Sequence, residues 1–429
     1  MRDGSIRPVL TRRQVAAVVA GNGLEFYDFV TYSFFAAQIG RALFPQGGGY
    51  GLLLSLATFG VGFVTRPLGG LIIGRIADRR GRKPAMLLSF GGMGFALVGL
   101  ALTPGYATIG MAAPVLAVLF RMIQGFALGG EVGPNTAFLL ESAPPGKRGL
   151  FVSFQYATQD GAVLLSGLVG VALSSMLTGP QLDAWGWRIA FLLGALIVPF
   201  TLAVRRSLAE TLPDHAPEAG GTTGYARVIV AGLMLIAATT IANYTLDYLT
   251  TYAQTTLKME VNTAFGATVM IGLGGVVADL ATGRLCDRFG RKRVLLVPWV
   301  ALILLGMPAF LLMDHFRSAT ALLSMSAVLS LLLSAAAVPA LVLFTEALPV
   351  RVRAGSIGLV YATAVGLFGG SAQLVEHQLI DWTGIAIAPA WYMTAALVIG
   401  LVGVALIREI SPPPRDVRAG ADFIALEPL

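Results

Sequence analysis

Residues 74–83 read Gly-Arg-Ile-Ala-Asp-Arg-Arg-Gly-Arg-Lys, and residues 283–292 repeat the pattern as Gly-Arg-Leu-Cys-Asp-Arg-Phe-Gly-Arg-Lys. The second copy begins 209 residues after the first. A second match, at an offset of 205 residues, pairs Glu141, Pro144 and Arg148 with Glu346, Pro349 and Arg353. Two independent matches at nearly the same offset indicate a chain built from two related halves.

The composition is that of a membrane protein. Of the 429 residues, 56% are hydrophobic and 12% are charged, whereas soluble proteins carry about 25% charged residues. Apolar runs of roughly 20 residues, long enough to cross a bilayer, recur along the chain. They predict an all-α polytopic fold with twelve spans near 15–43, 51–76, 84–103, 112–142, 149–177, 187–206, 225–254, 262–284, 293–313, 319–347, 351–379 and 389–408.

The polar stretch from Pro213 to Gly224 separates six spans from six. It predicts an N-terminal six-helix bundle (1–206), a cytoplasmic linker (207–224), a C-terminal six-helix bundle (225–410) and a cytoplasmic tail (411–429). We interpret the apolar stretch after Arg13 as a retained first span rather than a signal peptide, because it is too long and contains acidic residues.

The positive charges predict the orientation. Of the 30 Lys and Arg residues, 24 fall at the two termini and in the loops on the same side, and four fall on the opposite side. This asymmetry places both termini in the cytoplasm of a bacterial inner membrane. It also explains the net charge of +7, so the partner that we expect is the lipid bilayer and not nucleic acid.

Four further segments accompany the repeated loop. They read Gly21-Asn22-Gly-Leu24-Glu25-Phe-Tyr27-Asp28-Phe29, Arg66-Pro67-Leu68-Gly69-Gly70, Arg121-Met-Ile-Gln124-Gly125-Phe-Ala-Leu-Gly129-Gly130-Glu131 and Gly186-Trp187-Arg188. The repeated loop resembles the signature of the major facilitator superfamily, and the four segments resemble its metabolite:proton symporter family. The resemblance implies two pseudo-symmetric six-helix bundles that carry organic acids, betaines or related metabolites together with protons.

The segments 130–135 and 154–159 are similar to the citrate and tricarballylate branch of that family. Pro134 departs from the Trp-Gly-Gly pattern of other branches and is expected to kink its helix. The prediction is therefore proton-coupled symport of a small organic acid, with citrate-like di- or tricarboxylates preferred. Acidic residues at Asp160, Asp247 and Glu376 keep open the alternative of proton- or sodium-coupled uptake of a zwitterion such as betaine or proline.

Arg121 is the leading candidate for substrate binding. An ionisable residue within a span is costly and usually faces a cavity or a partner. A guanidinium is always charged, and its planar fork matches a carboxylate. The alternative is a structural ion pair with Asp28. The other candidate substrate ligands are Asn22, Tyr32, Gln124, Gln155, Gln159, Tyr244, Tyr248 and Gln373.

Asp28 is the leading candidate for proton coupling, and Glu25 is the alternative. Burial and a nearby arginine act on a carboxyl group in opposite directions, so a group between the two can gain and lose a proton as a cavity opens and closes. The structural alternative is a permanent partner of an arginine.

The repeated loops predict gates, largely on the family resemblance. Their acids can pair with basic residues and cap helix ends when the cytoplasmic side is closed. The residues concerned are Asp78, Arg82, Asp287, Arg291, Glu141 and Glu346. Arg66 and Glu131 are interpreted instead as a structural pair between the second and fourth spans, and Asp279 as part of the cytoplasmic gate.

Other classes of protein fit less well. A membrane enzyme would need a reactive set of residues, and no such set stands out. The chain has no phosphate-binding Gly-x-x-x-x-Gly-Lys-Ser/Thr loop, which argues against ATP-driven transport. With three scattered histidines and one cysteine, we expect no metal and no cofactor. We expect a transporter that functions as a monomer.

Overall fold

The computed structural model describes residues 23, 26–27, 29–46, 49–80, 82–129, 143–144, 146–206 and 225–409. Four predicted site residues, Asn22, Glu25, Asp28 and Glu141, lie outside these ranges, as does Glu131. The side chains of Asp78 and Arg82 also lie outside the description, although both residues are within helices.

The described part of the chain is helical and contains no β-strand. Its main helices are α1 (Ala36–Leu43), α2 (Tyr50–Val64), α3 (Arg66–Arg80), α4 (Arg82–Leu102), α5 (Ala112–Leu128), α6 (Arg148–Met176), α7 (Trp187–Arg206), α8 (Ala226–Thr255), α9 (Val261–Phe289), α10 (Arg291–Phe316), α11 (Ala319–Glu346), α12 (Val350–Ala364), α13 (Gly370–Thr383) and α14 (Ala388–Leu406). Short helices lie at Tyr106–Ile109 and Gly179–Gln181, and π-helical turns at Leu182–Gly186 and Val365–Gly369.

These helices confirm the all-α membrane fold. Within the described residues, eight helical segments are long and apolar enough to cross a bilayer, and two shorter apolar helices cover Leu88–Leu102 and Ala112–Leu128. The predicted span at 51–76 corresponds to α2 and α3, which follow each other across Thr65. The predicted span at 351–379 corresponds to α12, a π-helical turn and α13.

Local signals in the sequence end and begin the helices. Gly290 separates α9 from α10 with φ +94° and ψ 158°, a conformation that is essentially restricted to glycine. The turn therefore explains why the motif at 283–292 needs glycine at this position. Ser318 caps α11, and its hydroxyl accepts a hydrogen bond from the Ala321 amide at 3.2 Å, as expected of an N-cap serine.

Helices α6 and α9 pack against each other in opposite directions along their whole length. Small residues allow this close approach: a methyl group at Gly149 would lie 2.6 Å from the Gly283 carbonyl oxygen, and one at Gly170 would lie 2.1 Å from the Phe265 ring. We call this contact the α6–α9 seam. It joins the two halves that the repeat predicts, because α6 precedes the polar linker and α9 follows it.

A second contact between the predicted halves joins α2 to α13. A methyl group at Gly60 would lie 2.5 Å from the Gly370 carbonyl oxygen. We name the two ends of the bundle after residues that lie there. The Asp287 end is where α6 begins and α9 finishes, and the Gln254 end is where α8 finishes and α9 begins.

Candidate functional site

Arg121 lies in the interior of the bundle, surrounded by aromatic rings. Its side chain is fully buried. The carbon at the centre of its guanidinium lies 4.4 Å from the centroid of the Tyr32 ring, 4.9 Å from that of Phe29 and 5.3 Å from that of Phe59. Ring faces are electron-rich and attract cations, most strongly where water is excluded. We call these three rings the aromatic cage.

Gln124 orients the guanidinium. It lies one helical turn from Arg121 on α5, and its Oε1 accepts a hydrogen bond from Arg121 Nη1 at 2.7 Å. Residues three apart share a helix face, so the predicted ligands Arg121 and Gln124 do come together. Tyr32 joins them as part of the cage, and all three side chains are buried.

A second arginine shares the cage. The Arg66 guanidinium lies 4.4 Å from the Phe29 and Phe63 ring centroids. The two arginines thus both contact the Phe29 ring. The predicted pair of Arg66 with Glu131 stays a prediction because Glu131 is outside the described residues, but Arg66 is clearly part of the aromatic centre.

Tyr244 brings the second half of the chain to the cage. Its ring meets those of Phe59 and Phe63 edge to face, at centroid distances of 5.9 and 5.7 Å. A methyl group at Gly369, in the π-helical turn, would lie 2.6 Å from this ring. π-Helical turns inside α-helices occur frequently at functional sites. Here the turn places Gly369 against the Tyr244 ring, where a side chain would collide with the ring.

Other predicted ligands lie farther along the interface. Gln373 is buried and donates from Nε2 to the Ser33 hydroxyl, which joins α13 to the first predicted span. Gln155 is buried and Gln159 half-buried, one turn apart on α6. Tyr248 packs elsewhere, because its hydroxyl contacts His377 Nδ1 at 3.1 Å and its ring packs on Tyr252. The role of Tyr248 as a substrate ligand stays a prediction.

Two acidic side chains lie beside an exposed position in α8. Asn243 is exposed although residues 235–242 and 244–253 around it are buried, and its Nδ2 lies 3.4 Å from Asp247 Oδ2 as a hydrogen-bond donor. The buried Glu376 accepts a hydrogen bond from Thr245, also on α8. An exposed position in α8 therefore lies beside two acidic side chains, Asp247 of α8 and Glu376 of α13.

A further carboxyl pair, which the sequence analysis did not recognise as a pair, lies at the α6–α9 seam. Asp160 extends from α6 against Gly275 of α9, and its Oδ2 accepts a hydrogen bond from the Ser334 hydroxyl at 3.0 Å. The fully buried Asp279 faces the same carboxyl group. Asp279 was expected at the gate, but it lies two turns before Asp287, next to Asp160. The glycines of α9 at 272 and 275 were the signal in the sequence for this close contact.

Asp287, Arg291 and Glu346 do come together at the Asp287 end. Asp287 accepts hydrogen bonds from the backbone amides of Gly149 and Leu150, at 2.8 and 3.0 Å, across the seam. The Arg291 guanidinium lies 3.5 Å from Asp287 and 2.9 Å from Glu346. The carboxylate of Asp287 thus caps the positive start of α6 and links it to α9 and α11.

Comparisons with known proteins agree with this architecture. The family model of the Major Facilitator Superfamily matches residues 18–372. The solved structure of a D-xylose–proton symporter has a TM-score of 0.73 at 18% identity, covering 93% of this chain and 98% of its own. An inward-open structure of the xylose transporter from E. coli has a TM-score of 0.71 at 17% identity, covering 93% and 97%. At these identities the likeness shows the fold alone.

Curated relatives are closer in sequence. A citrate-proton symporter of Salmonella typhi is 33% identical over 96% of both chains, and an alpha-ketoglutarate permease of Escherichia coli K12 is 36% identical over 95% of this chain and 97% of its own. A putative proline/betaine transporter of Staphylococcus haemolyticus is 30% identical over 92% and 87%. All three are named as carriers, which confirms the prediction of a transporter rather than an enzyme. The chain therefore belongs to the major facilitator superfamily of membrane transporters.

Proposed function

We propose that this chain is a proton-coupled symporter that moves a small organic acid, preferably a citrate-like di- or tricarboxylate, across the inner membrane of a bacterium. The observation that carries the proposal is the buried Arg121 guanidinium inside an aromatic cage. Tyr244, from the second half of the chain, closes on the same cage. In transporters built from two repeats, the substrate site lies where the repeats meet, near the middle of the membrane.

The chemistry of Arg121 fits a carboxylate. A guanidinium keeps its charge at any cellular pH and forms two parallel hydrogen bonds with a carboxylate. The cage and Gln124 hold its plane in one orientation, so little further ordering would be required on binding. The names of two relatives, citrate-proton symporter and alpha-ketoglutarate permease, support polycarboxylates as the substrate class.

Proton coupling is proposed on the name of the citrate-proton symporter and on the acids of the first span. Asp28 and Glu25, predicted as proton carriers, stay proposals from the sequence because both lie outside the described residues. Of the two, Asp28 stands closer in sequence to Phe29 and Tyr32 of the cage. Loss of the proton from Asp28 would offer Arg121 a carboxylate that competes with the substrate.

A zwitterion is the second candidate substrate. The exposed Asn243 lies against Asp247, and Glu376 of α13 lies buried against Thr245 on the same stretch of α8. Carboxyl groups together with the nearby ring of Tyr244 would suit the ammonium of betaine or proline. The relative named as a putative proline/betaine transporter supports this alternative.

The proposed cycle is alternating access between the bundles 1–206 and 225–410 in a monomer. The positive charges of the sequence place both termini, and therefore the Asp287 end, in the cytoplasm. Asp287, Arg291 and Glu346 would hold the cytoplasmic side closed, and the repeated motif suggests the same role for Asp78, Arg82 and Glu141.

Uptake into liposomes tests the proposal. Purified protein should accumulate labelled citrate or alpha-ketoglutarate when the outside is more acidic than the inside, and a protonophore should abolish the accumulation. Unlabelled betaine and proline serve as competitors. Uptake of betaine or proline alone would reject the organic acid as substrate, and accumulation that ignores the pH gradient would reject proton coupling.

The Asp28→Asn variant tests the carrier. It should lose uphill uptake but keep exchange of labelled for unlabelled substrate, because exchange needs no net proton movement. Asp183→Asn is the matched control, since Asp183 pairs with Arg41 at the surface, 2.7 Å away. Proton-driven accumulation by the Asp28→Asn protein would exclude Asp28 as the carrier.

A further inference from the structure

The carboxyl pair Asp160–Asp279 lies in the seam, with Asp160 half-buried and Asp279 buried. Asp279 is fully buried, and neither of its carboxyl oxygens has a hydrogen-bond partner within the described residues. It points to Asp160, whose Oδ2 is held by Ser334 of α11. Neither acid forms a salt bridge with any basic side chain that the structure describes.

Glycines force the two acids together. A methyl group at Gly275 would lie 1.8 Å from Asp160 Oδ2, and one at Gly272 would lie 2.3 Å from the backbone nitrogen of Leu164. Helices α6 and α9 are therefore in close contact at the pair. Movement of α6 away from α9 would separate Asp160 from Asp279, so the distance between the two acids would follow the distance between the halves.

Among the described residues, the groups that face the pair add no positive charge. Tyr156 lies on α6 and interacts with both acids, Asp247 interacts with Asp160 from α8, and α11 contributes the hydroxyl of Ser334. Tyr361 of α12 reaches the pair only through Tyr156. Two ionised carboxylates in such a place would repel each other, and no basic side chain among the described residues would offset the repulsion. One shared proton converts the repulsion into a hydrogen bond between an acid and a carboxylate.

We propose that Asp160 and Asp279 bind one proton between them and that this proton locks the middle of the α6–α9 seam. The proton is bonded to an oxygen of one carboxyl group, which donates a hydrogen bond to the carboxylate of the other. When it is lost to water, the two negative charges repel and the halves separate. This site is distinct from the proposed carriers Asp28 and Glu25. It rests on the proposed alternating access but not on the identity of the substrate.

Distances between spin labels, measured by pulsed electron paramagnetic resonance, test the lock. Labels on exposed side chains of opposite halves are placed at Lys147 and Arg293 for the Asp287 end, and at Met176 and Phe316 for the Gln254 end. The buried Cys286 is replaced by serine. In the parent protein without substrate, raising the pH from about 5 to about 9 should shift the population at one end or both towards longer distances.

Asp279→Asn removes the charge and keeps the size, so it should hold the closed distances at both ends across the whole pH range. Asp160→Asn should do the same, which keeps the test open if one variant fails to fold. Asp314→Asn is the control, because Asp314 pairs with Arg317 at the surface, 2.8 Å away, and it should keep the parental pH response.

Three results would overturn the lock. They are distances that do not change with pH in the parent protein, an unchanged pH response in both Asp→Asn variants, and distances that follow sodium concentration at constant pH. The measurement uses no substrate. A pH response that disappears in Asp279→Asn therefore supports the lock even if citrate uptake fails, and uptake of citrate without the pH response supports only the proposed function.

Discussion

Replacing Asp287 by asparagine should open the Asp287 end of the bundle. The Asp287 carboxylate accepts two amide hydrogen bonds from the first turn of α6, at 2.8 and 3.0 Å, and lies 3.5 Å from Arg291. A hydrogen bond to a charged group contributes about 1.5–3 kcal/mol, and a negative charge at a helix N-terminus contributes about 0.3–1 kcal/mol.

Asparagine has the same size but only one acceptor oxygen and no charge. It should therefore retain one weaker hydrogen bond and lose about 2 kcal/mol of closure energy in total. Because 1.4 kcal/mol corresponds to a factor of ten, the ratio of closed to open molecules should fall roughly 30-fold.

The labels at Lys147 and Arg293 measure this change, because they lie on opposite halves at the Asp287 end. The distance distribution of Asp287→Asn should move to longer values at constant pH without substrate. Asp183→Asn, which breaks a surface ion pair with Arg41, should keep the parental distribution. Identical distributions for Asp287→Asn and the control would refute the assignment of Asp287 as a gate.

Two further changes test the contacts between the halves. In Gly60→Ala the new methyl group would lie 2.5 Å from the Gly370 carbonyl oxygen, and overpacking of about 1–3 kcal/mol should lower the melting temperature and slow uptake. Gly91→Ala is the control, because no atom lies within 4 Å of its new methyl group, and it should change neither property. Equal behaviour of the two variants would contradict the close contact. Gln38→Ala removes a 2.8 Å hydrogen bond to Gln254, which contributes about 1 kcal/mol. A cysteine placed near the Gln254 end should therefore react roughly fivefold faster with a water-soluble thiol reagent. An unchanged rate would show that the hydrogen bond does not hold the Gln254 end closed.

The sequence predicted the features that depend on local pattern. Apolar runs gave the helices to within a few residues, as in α6, which was expected at 149–177 and found at Arg148–Met176. The cluster of Asp287, Arg291 and Glu346 was also predictable, because each residue lies at a helix end that the repeat places on the same side.

The residues brought together by packing were harder to predict. Asp160 and Asp279 lie on different helices, and the sequence does not state which helices touch. Their proximity follows from the glycines of α9, whose effect appears only once α6 is placed against them. The aromatic cage was missed for the same reason, since Phe29 and Phe59 look like ordinary apolar residues until Arg121 is found between them.

The central claim of this account is that Arg121 binds the carboxylate of the substrate, and calorimetric titration of the purified protein with citrate and alpha-ketoglutarate tests it most directly. Arg121→Lys keeps the charge but loses the planar fork, so its affinity should fall by roughly 30-fold, or about 2 kcal/mol. Arg188→Lys is the control, because Arg188 donates to the carbonyl oxygens of Ala101 and Thr103 at 2.7 and 2.6 Å; its affinity should equal that of the parent. Equal affinities for the parent and Arg121→Lys would contradict the claim.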